Sequence, residues 1–309
     1  MDTHLIPQRL GQLDDITYGK TSNILTRATG FIEAYDYSLN PYSGCAFGCT
    51  YCYAAFFSRS PYHRDNWGYW VRVKENAAEN LNRKLRRNSR CMDGKRIYMS
   101  SVTDPYQPLE RKLGLTRAVL EVLAGKTATA ETNYRHRPRP KLVVQTRGPD
   151  VVRDLDLYQT IVENGGNVQI NMTVTTDDES VRHTFEPKCP GTHRRLEAIT
   201  EVASSGISTC ITLTPLLWLH NPTRFAEQLV STGAERIVSQ AFHFNRGRFV
   251  AMTRDDALNI MALKLGCDLA SLQREYLGRY NAWRHTLALC LGDYGLTLEE
   301  GKSGFEPPF

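Results

Sequence analysis

Three cysteines stand in the run Cys45-Ala46-Phe47-Gly48-Cys49-Thr50-Tyr51-Cys52, a C-x3-C-x2-C spacing inside an aromatic- and glycine-rich stretch. Thiolates this close together can wrap one cubane iron–sulfur cluster, whose four irons want four ligands. The run supplies three, which leaves one iron open to another ligand. Zinc held with a distant fourth ligand would use the same residues, as would chance clustering among the 8 cysteines of the chain. Zinc sites usually pair C-x2-C knuckles, and no second knuckle occurs.

Other residues of reactive type fall at the ends of apolar runs. Thr103-Asp104-Pro105-Tyr106-Gln107-Pro108 brings a hydroxyl and a carboxylate together, which can hold an ammonium group. The same Thr-Asp-Pro is also an ordinary turn or helix cap. Gln145-Thr146-Arg147-Gly148 offers a forked cation suited to a carboxylate, or to a surface salt bridge. Asn171 and Thr173 share one face of a strand by period-two alternation. Cys189, in Glu186-Pro187-Lys188-Cys189-Pro190, is a thiol that can give hydrogen to a carbon radical, although small buried cysteines are more often filler.

The elements that must carry these residues alternate short apolar runs with longer amphipathic ones, the pattern of βα units around a parallel sheet. Strands are expected over 31–37, 96–101, 141–146, 168–173, 208–213 and 236–240. Helices are expected over 71–87, 116–123, 149–162, 192–205 and 222–232. Each strand is followed by a loop with polar or reactive residues, where a β/α barrel keeps its chemistry. Six units are too few for a closed eight-stranded barrel. From Asp255 onward the pattern is helical and reads as an extension that could cap the open side. The chain divides into an N-terminal extension (1–29), a barrel (30–245) and a C-terminal helical extension (246–309).

At 309 residues and 41% hydrophobic content the chain can bury a sizeable core. No apolar run approaches the length of a bilayer, and Met1-Asp2-Thr3-His4 lacks a basic then apolar leader. No membrane association is expected, and the cytoplasm is. Cys91, Cys189, Cys210, Cys267 and Cys290 are scattered without a disulfide framework, which suits a reducing compartment. A net charge of +5 permits an anionic partner without requiring one. Basic residues gather at Lys84 to Arg90 and at Tyr134 to Lys141, the second reading as a surface loop.

The cysteine run, its lead-in Asn40-Pro41-Tyr42-Ser43-Gly44, the Thr103 to Glu110 motif, Val73-Lys74-Glu75-Asn76-Ala77, Glu186-Pro187 and Arg195-Leu196-Glu197 together resemble the radical S-adenosylmethionine superfamily, in the branch named after spore photoproduct lyase. The resemblance spans roughly residues 30–215. It implies an open partial (β/α)6 barrel, which agrees with the count of six units. It implies a [4Fe–4S] cluster on Cys45, Cys49 and Cys52, with the open iron chelated by S-adenosylmethionine. An electron then breaks the sulfonium and releases a 5′-deoxyadenosyl radical, chemistry that side chains cannot supply. It further implies that Thr103 and Asp104 face the cofactor's ammonium and Arg147 its carboxylate. Asn171 or Thr173 would contribute a small polar contact, and the Tyr51 ring would lie near the adenine.

Two substrate classes follow from the same resemblance. Spore photoproduct lyases keep a hydrogen-donating cysteine immediately before the polar pair, and here that position is Val102. Valine cannot return hydrogen in that way, which turns the expectation toward peptide-modifying members of the branch. Some of these excise tyramine from a precursor and leave a β-amino acid residue. The alternative is lesion repair on nucleic acid, with the basic segments near Arg86 and Arg137 on phosphates. The implied partners are an electron donor such as flavodoxin or ferredoxin and, for a peptide substrate, a small leader-recognition protein.

Overall fold

The computed structural model describes residues 13–126, 136–244 and 252–309. Eleven strands are formed there: β1 (Asp15–Gly19), β2 (Leu25–Arg27), β3 (Tyr37–Leu39), β4 (Tyr42–Gly44), β5 (Trp70–Lys74), β6 (Arg96–Met99), β7 (Lys141–Thr146), β8 (Asn167–Thr173), β9 (Ser208–Leu213), β10 (Arg236–Ser239) and β11 (Leu298–Glu300). Helices α1 (Pro61–Asp65), α2 (Ala77–Arg87), α3 (Glu110–Leu113), α4 (Leu115–Leu123), α5 (Leu155–Glu163), α6 (Glu179–Phe185), α7 (Thr192–Ser204), α8 (Pro222–Ser231), α9 (Asp255–Leu265), α10 (Leu269–Gly292) and α11 (Gly301–Gly304) lie between and after them.

One sheet has the order β2-β3-β6-β7-β8-β9-β10-β11, parallel throughout except for β2 against β3. This is the expected open partial barrel. Its middle strands form because Leu142, Val144, Ile170, Met172, Ile211 and Leu213 all point to the helical layer and are wholly buried. Each contributes about 1.5–3 kcal/mol by leaving water. The helices turn matching stripes inward; on α2 these are Ala77, Leu81 and Leu85, while Arg86 and Arg87 end the helix outside.

The opposite, inward face is more polar: Gln145, Gln169, Asn171, Thr173 and Thr212 alternate with those apolar residues. Beneath them Tyr98, Val143, Cys210 and Val238 pack with Ile32, Tyr35 and Phe305 to close the barrel floor.

Strands 141–146 and 208–213 fall where the sequence places them. Two expectations are corrected. The stretch 31–37 is not a strand: Gly30, at φ 66°, turns the chain into a short 3-10 helix, Gly30–Ile32, and only Tyr37 joins β3. Ile32 and Tyr35 plug the floor, Tyr35 lying edge-on to Tyr98 at 5.0 Å. The stretch 71–87 is likewise two elements, β5 and α2, because Val71 and Val73 alternate into a small second sheet, β1-β5-β4.

The stretch after Asp255 is helical as expected, and it also adds β11 beside β10, which widens the sheet at its open edge. β2 lies within the expected N-terminal extension and pairs with β3. The expected boundary between 245 and 246 falls outside the described residues, as do Tyr134 and Arg135 of the basic loop.

Candidate active site

The cysteine run leaves the end of β4, so the small sheet aims it across the C-terminal edge of the large one. Gly48 makes this possible. Its φ is 55° and a Cβ there would stand 2.8 Å from Gly68 Cα, so the loop and the turn before β5 touch backbone to backbone. Cys45 and Cys49 are buried and Cys52 partly so. Burial pushes the Cys45 thiol up, aided by the Asp104 carboxylate and the other two thiols, and pushes Cys52 up to about 12. A bound metal would reverse this by demanding thiolates. No trio of His, Cys, Asp or Glu among the described residues converges on a single ion. Three thiolates of this close spacing can each take one iron of a cubane. The donor set therefore fits the cluster.

The loop is tied to the strand ends at three points. Thr103 Oγ1 donates to the Gly44 carbonyl at 2.6 Å, and the Ala46 N–H donates to Gln107 Oε1 at 2.9 Å. Asp104 is 4% exposed; its Oδ1 accepts from Tyr106 N–H (2.9 Å) and Thr146 Oγ1 (2.7 Å), and its Oδ2 from Arg147 N–H (2.9 Å). Burial raises its pKa, and the three donors oppose that rise. Asp104 thus stitches the end of β6 to the end of β7. Arg147 reaches the third point, the Tyr51 hydroxyl, through Nη1 at 2.7 Å.

Glu186 lies at the centre of that point. It is fully buried and accepts from Tyr51 Oη, from Thr175 Oγ1 at 2.9 Å, from Arg147 Nη1 at 3.2 Å and from the fully buried Arg195. Burial alone would raise its pKa, but Arg195 and Arg147 hold it down at about 2. The sequence marks Glu186 and Arg195 only through the resemblance. Nothing in their spacing announces a carboxylate shared by two arginines.

Arg147 Nη2 and Nε make no hydrogen bond among the described residues, so part of its fork remains open at the strand ends. Asn171 and Thr173 both face inward and join one network. Asn171 Nδ2 donates to Gln145 Oε1 (3.3 Å), and Gln145 Nε2 donates to Thr173 Oγ1 (2.8 Å) and Thr212 Oγ1 (3.0 Å). Gln145, Thr212 and Tyr98 were missed in the sequence; polar residues at alternate positions of otherwise apolar strands were the available signal. Beside them Ser100 sits just past β6 at φ 70°, 2% exposed, with its hydroxyl unpartnered among the described residues. A strained residue with a free buried hydroxyl at a barrel mouth marks a place for a ligand atom.

The structure thus brings Cys45, Cys49, Cys52, Tyr51, Thr103, Asp104 and Arg147 to one edge of the sheet, with Asn171 and Thr173 just inside. Val102 is half-buried there, its N–H on Asn40 Oδ1 at 3.3 Å. The basic segments go elsewhere. The Arg90 carbonyl accepts from Asp93 N–H and the Arg139 carbonyl from Gly94 N–H, which puts the end of the first segment and the described part of the second at the turn before β6, the far edge of the sheet.

Comparison with known proteins bears on this arrangement. The family pattern described as the Radical SAM superfamily matches residues 39–222. An uncharacterised protein of Methanocaldococcus jannaschii is 30% identical over 186 residues, covering 60% of this chain and 62% of that one. An uncharacterised protein of Mycobacterium tuberculosis is 27% identical over 192 residues, covering 59% of this chain and 50% of that one. The chain therefore spans between half and two thirds of these relatives' own length. Among solved structures, one mutant of spore photoproduct lyase superposes with a TM-score of 0.53 at 15% identity, covering 87% of this chain and 80% of that one. A second gives 0.52 at 17%, covering 74% and 62%. At such identity the likeness is one of fold.

Proposed function

We propose, for a chain that belongs to the radical SAM superfamily, that it cleaves S-adenosylmethionine reductively and uses the resulting radical to take hydrogen from a peptide or protein. The superfamily consists of enzymes that use a [4Fe–4S] cluster and S-adenosylmethionine, and they need an electron donor and a substrate. What carries the reading is the meeting of the cysteine loop with Asp104, Arg147 and Glu186 at the C-terminal edge of the sheet.

When bound, the cluster supplies the electron that breaks the sulfonium. The chain's own residues do the positioning. Cys45, Cys49 and Cys52 would hold the cluster, and the burial of Cys45 and Cys49 limits the access of water to it. The open part of the Arg147 fork would take the carboxylate of S-adenosylmethionine, its charge secured by Glu186. Asp104 keeps Arg147 in place through its backbone N–H and, with Thr103, presents oxygen toward the ammonium. The Tyr51 ring would lie near the adenine, and Ser100, Asn171 and Thr173 would offer polar contacts at the mouth.

A peptide substrate, with tyramine excision as one outcome, is supported by two observations. Val102 stands where a lesion-repair enzyme would place its hydrogen-donating cysteine. The described parts of the basic segments that could follow phosphates, at Arg90 and Arg139, approach the far edge of the sheet, away from the site. The fold likeness to spore photoproduct lyase favours lesion repair as the second reading. An electron donor of the flavodoxin or ferredoxin kind and a small leader-binding protein complete the proposal. Among the described residues no helix is long and apolar enough to cross a membrane.

Anaerobic reconstitution with iron and sulfide, then a strong reductant and S-adenosylmethionine, is expected to give 5′-deoxyadenosine. Cys45→Ala, Cys49→Ala and Cys52→Ala should each lose the brown absorbance and the product. Retained cleavage in any one would remove that cysteine from the site. Nucleic-acid affinity that falls steeply between low and moderate salt, together with dimer reversal, would transfer the assignment to repair.

A further inference from the structure

Cys189 has a role that the cysteine run does not supply. Its sulfur lies 3.5 Å from that of Cys49, and both side chains are buried. The two come from parts of the chain 140 positions apart, so the contact is made by the tertiary fold. Neither Cys45 nor Cys52 has a thiol at hydrogen-bond distance among the described residues. The segment carrying Cys189 is fixed on every side. Its N–H donates to the Glu186 carbonyl at 3.1 Å, and its own carbonyl accepts from Arg182 Nη1 at 3.0 Å. The neighbouring Phe185 carbonyl takes both the N–H (3.0 Å) and the hydroxyl (3.1 Å) of Thr50, the residue after Cys49. The pair is thus held together from both backbones. A disulfide needs the sulfurs at about 2.05 Å, a closure of about 1.5 Å from the observed 3.5 Å.

We propose that the cluster-free chain closes a reversible Cys49–Cys189 disulfide that guards the cluster site against oxidation. The oxidant is a peroxide. One thiol reduces hydrogen peroxide to water and becomes a sulfenic acid. The second thiol attacks that sulfur, the S–S bond forms, the S–O bond breaks, and a second water leaves. Two electrons and two protons pass from the thiols to the peroxide, so the step balances. A dithiol such as dithiothreitol returns both thiols by exchange and is itself oxidised. Without Cys189, a sulfenic acid at Cys49 has no partner at 3.5 Å and goes on to sulfinic acid, which dithiols do not reduce. The consequence for iron loading rests on Cys49 being a cluster ligand; the bond itself does not.

Full-length cluster-free protein, prepared without oxygen, is treated with hydrogen peroxide, alkylated and digested with trypsin without reductant. The expected species joins peptide 28–59 to peptide 189–194, and the free thiols fall from eight, the full count, to six. Cys45→Ala and Cys52→Ala should keep the link through Cys49, and Cys49→Ala and Cys189→Ala should lose it. No linked species, or a link through Cys45 or Cys52, overturns the proposal.

In a second arm, iron uptake by peroxide-treated wild type is blocked and then restored by dithiothreitol. In Cys189→Ala it stays lost, with a sulfinic acid at Cys49 by mass. Equal recovery in both proteins overturns the guarding role. If untreated protein takes up no iron at all, the cluster reading fails, while the peptide masses still decide whether the disulfide forms.

Discussion

Glu186 decides whether the site is charged correctly. It is the fully buried carboxylate between Arg147 and Arg195, and removing its charge leaves the buried Arg195 guanidinium and the partly buried Arg147 without the anion they share. Breaking a buried pair in this way costs about 3–5 kcal/mol. Glu186→Gln is expected to show that loss in urea denaturation, with weaker binding of S-adenosylmethionine as Arg147 loses its anchor. The pH dependence has a definite sign. Folding lowers this carboxyl from 4.5 to about 2, so it contributes stability above pH 4.5 and loses it as pH falls toward 2. Wild type should lose stability across that window, and Glu186→Gln should lack this part of the loss; parallel curves would show that the arginines do not depend on Glu186. Asp104→Asn tests the stitch at the end of β6. One of its three donors would face an amide instead of a carboxylate oxygen, at about 1–3 kcal/mol, read as a lower melting temperature and a weaker Arg147 contact.

At the scale of elements, the cysteine loop depends on how closely two turns approach. Gly48→Ala would drive a methyl into Gly68 Cα, which is backbone and cannot swing aside. A fall in iron bound per chain is expected, with the large sheet intact by circular dichroism; unchanged iron would mean that the loop has slack. How much of this was legible in the sequence depends on range. β7, β8 and β9 were readable because each carries buried apolar residues at alternate positions and is closed by Gly, Pro or polar residues. β5 was not, because Val71 and Val73 precede a strongly amphipathic helix, and their alternation is too short to break its period. β1 and β4 exist only by pairing with β5. The same holds in the site. The cysteines and Asp104 declare themselves by type and spacing, whereas the Tyr51 to Glu186 contact joins residues 135 positions apart. Cys189 was read as filler, and only the fold reveals which sulfur it meets.

For the whole molecule, the C-terminal third is structural support for the site. The Phe242 N–H donates to Tyr276 Oη at 2.8 Å, the two rings stack at 5.6 Å, and Phe242 in turn meets Tyr51 at 6.2 Å. Tyr276→Phe leaves that N–H without its acceptor and is expected to cost about 1–2 kcal/mol, with cluster content unchanged when the protein is kept cold. A larger effect is expected from ending the chain before Leu298. This removes β11 from the sheet edge and Phe305 from the floor, where it meets Phe31 at 5.2 Å. The shortened protein should elute from size exclusion as aggregate, because β10 becomes an open edge. That floor also sets a timetable for synthesis. Phe31 and Glu33 leave the ribosome well before Phe305 and Lys302, their partners, which lie about 270 positions further along the chain. The floor can therefore close only once Phe305 has been made, and iron delivered to the growing chain before then would find its cysteines before their enclosure exists.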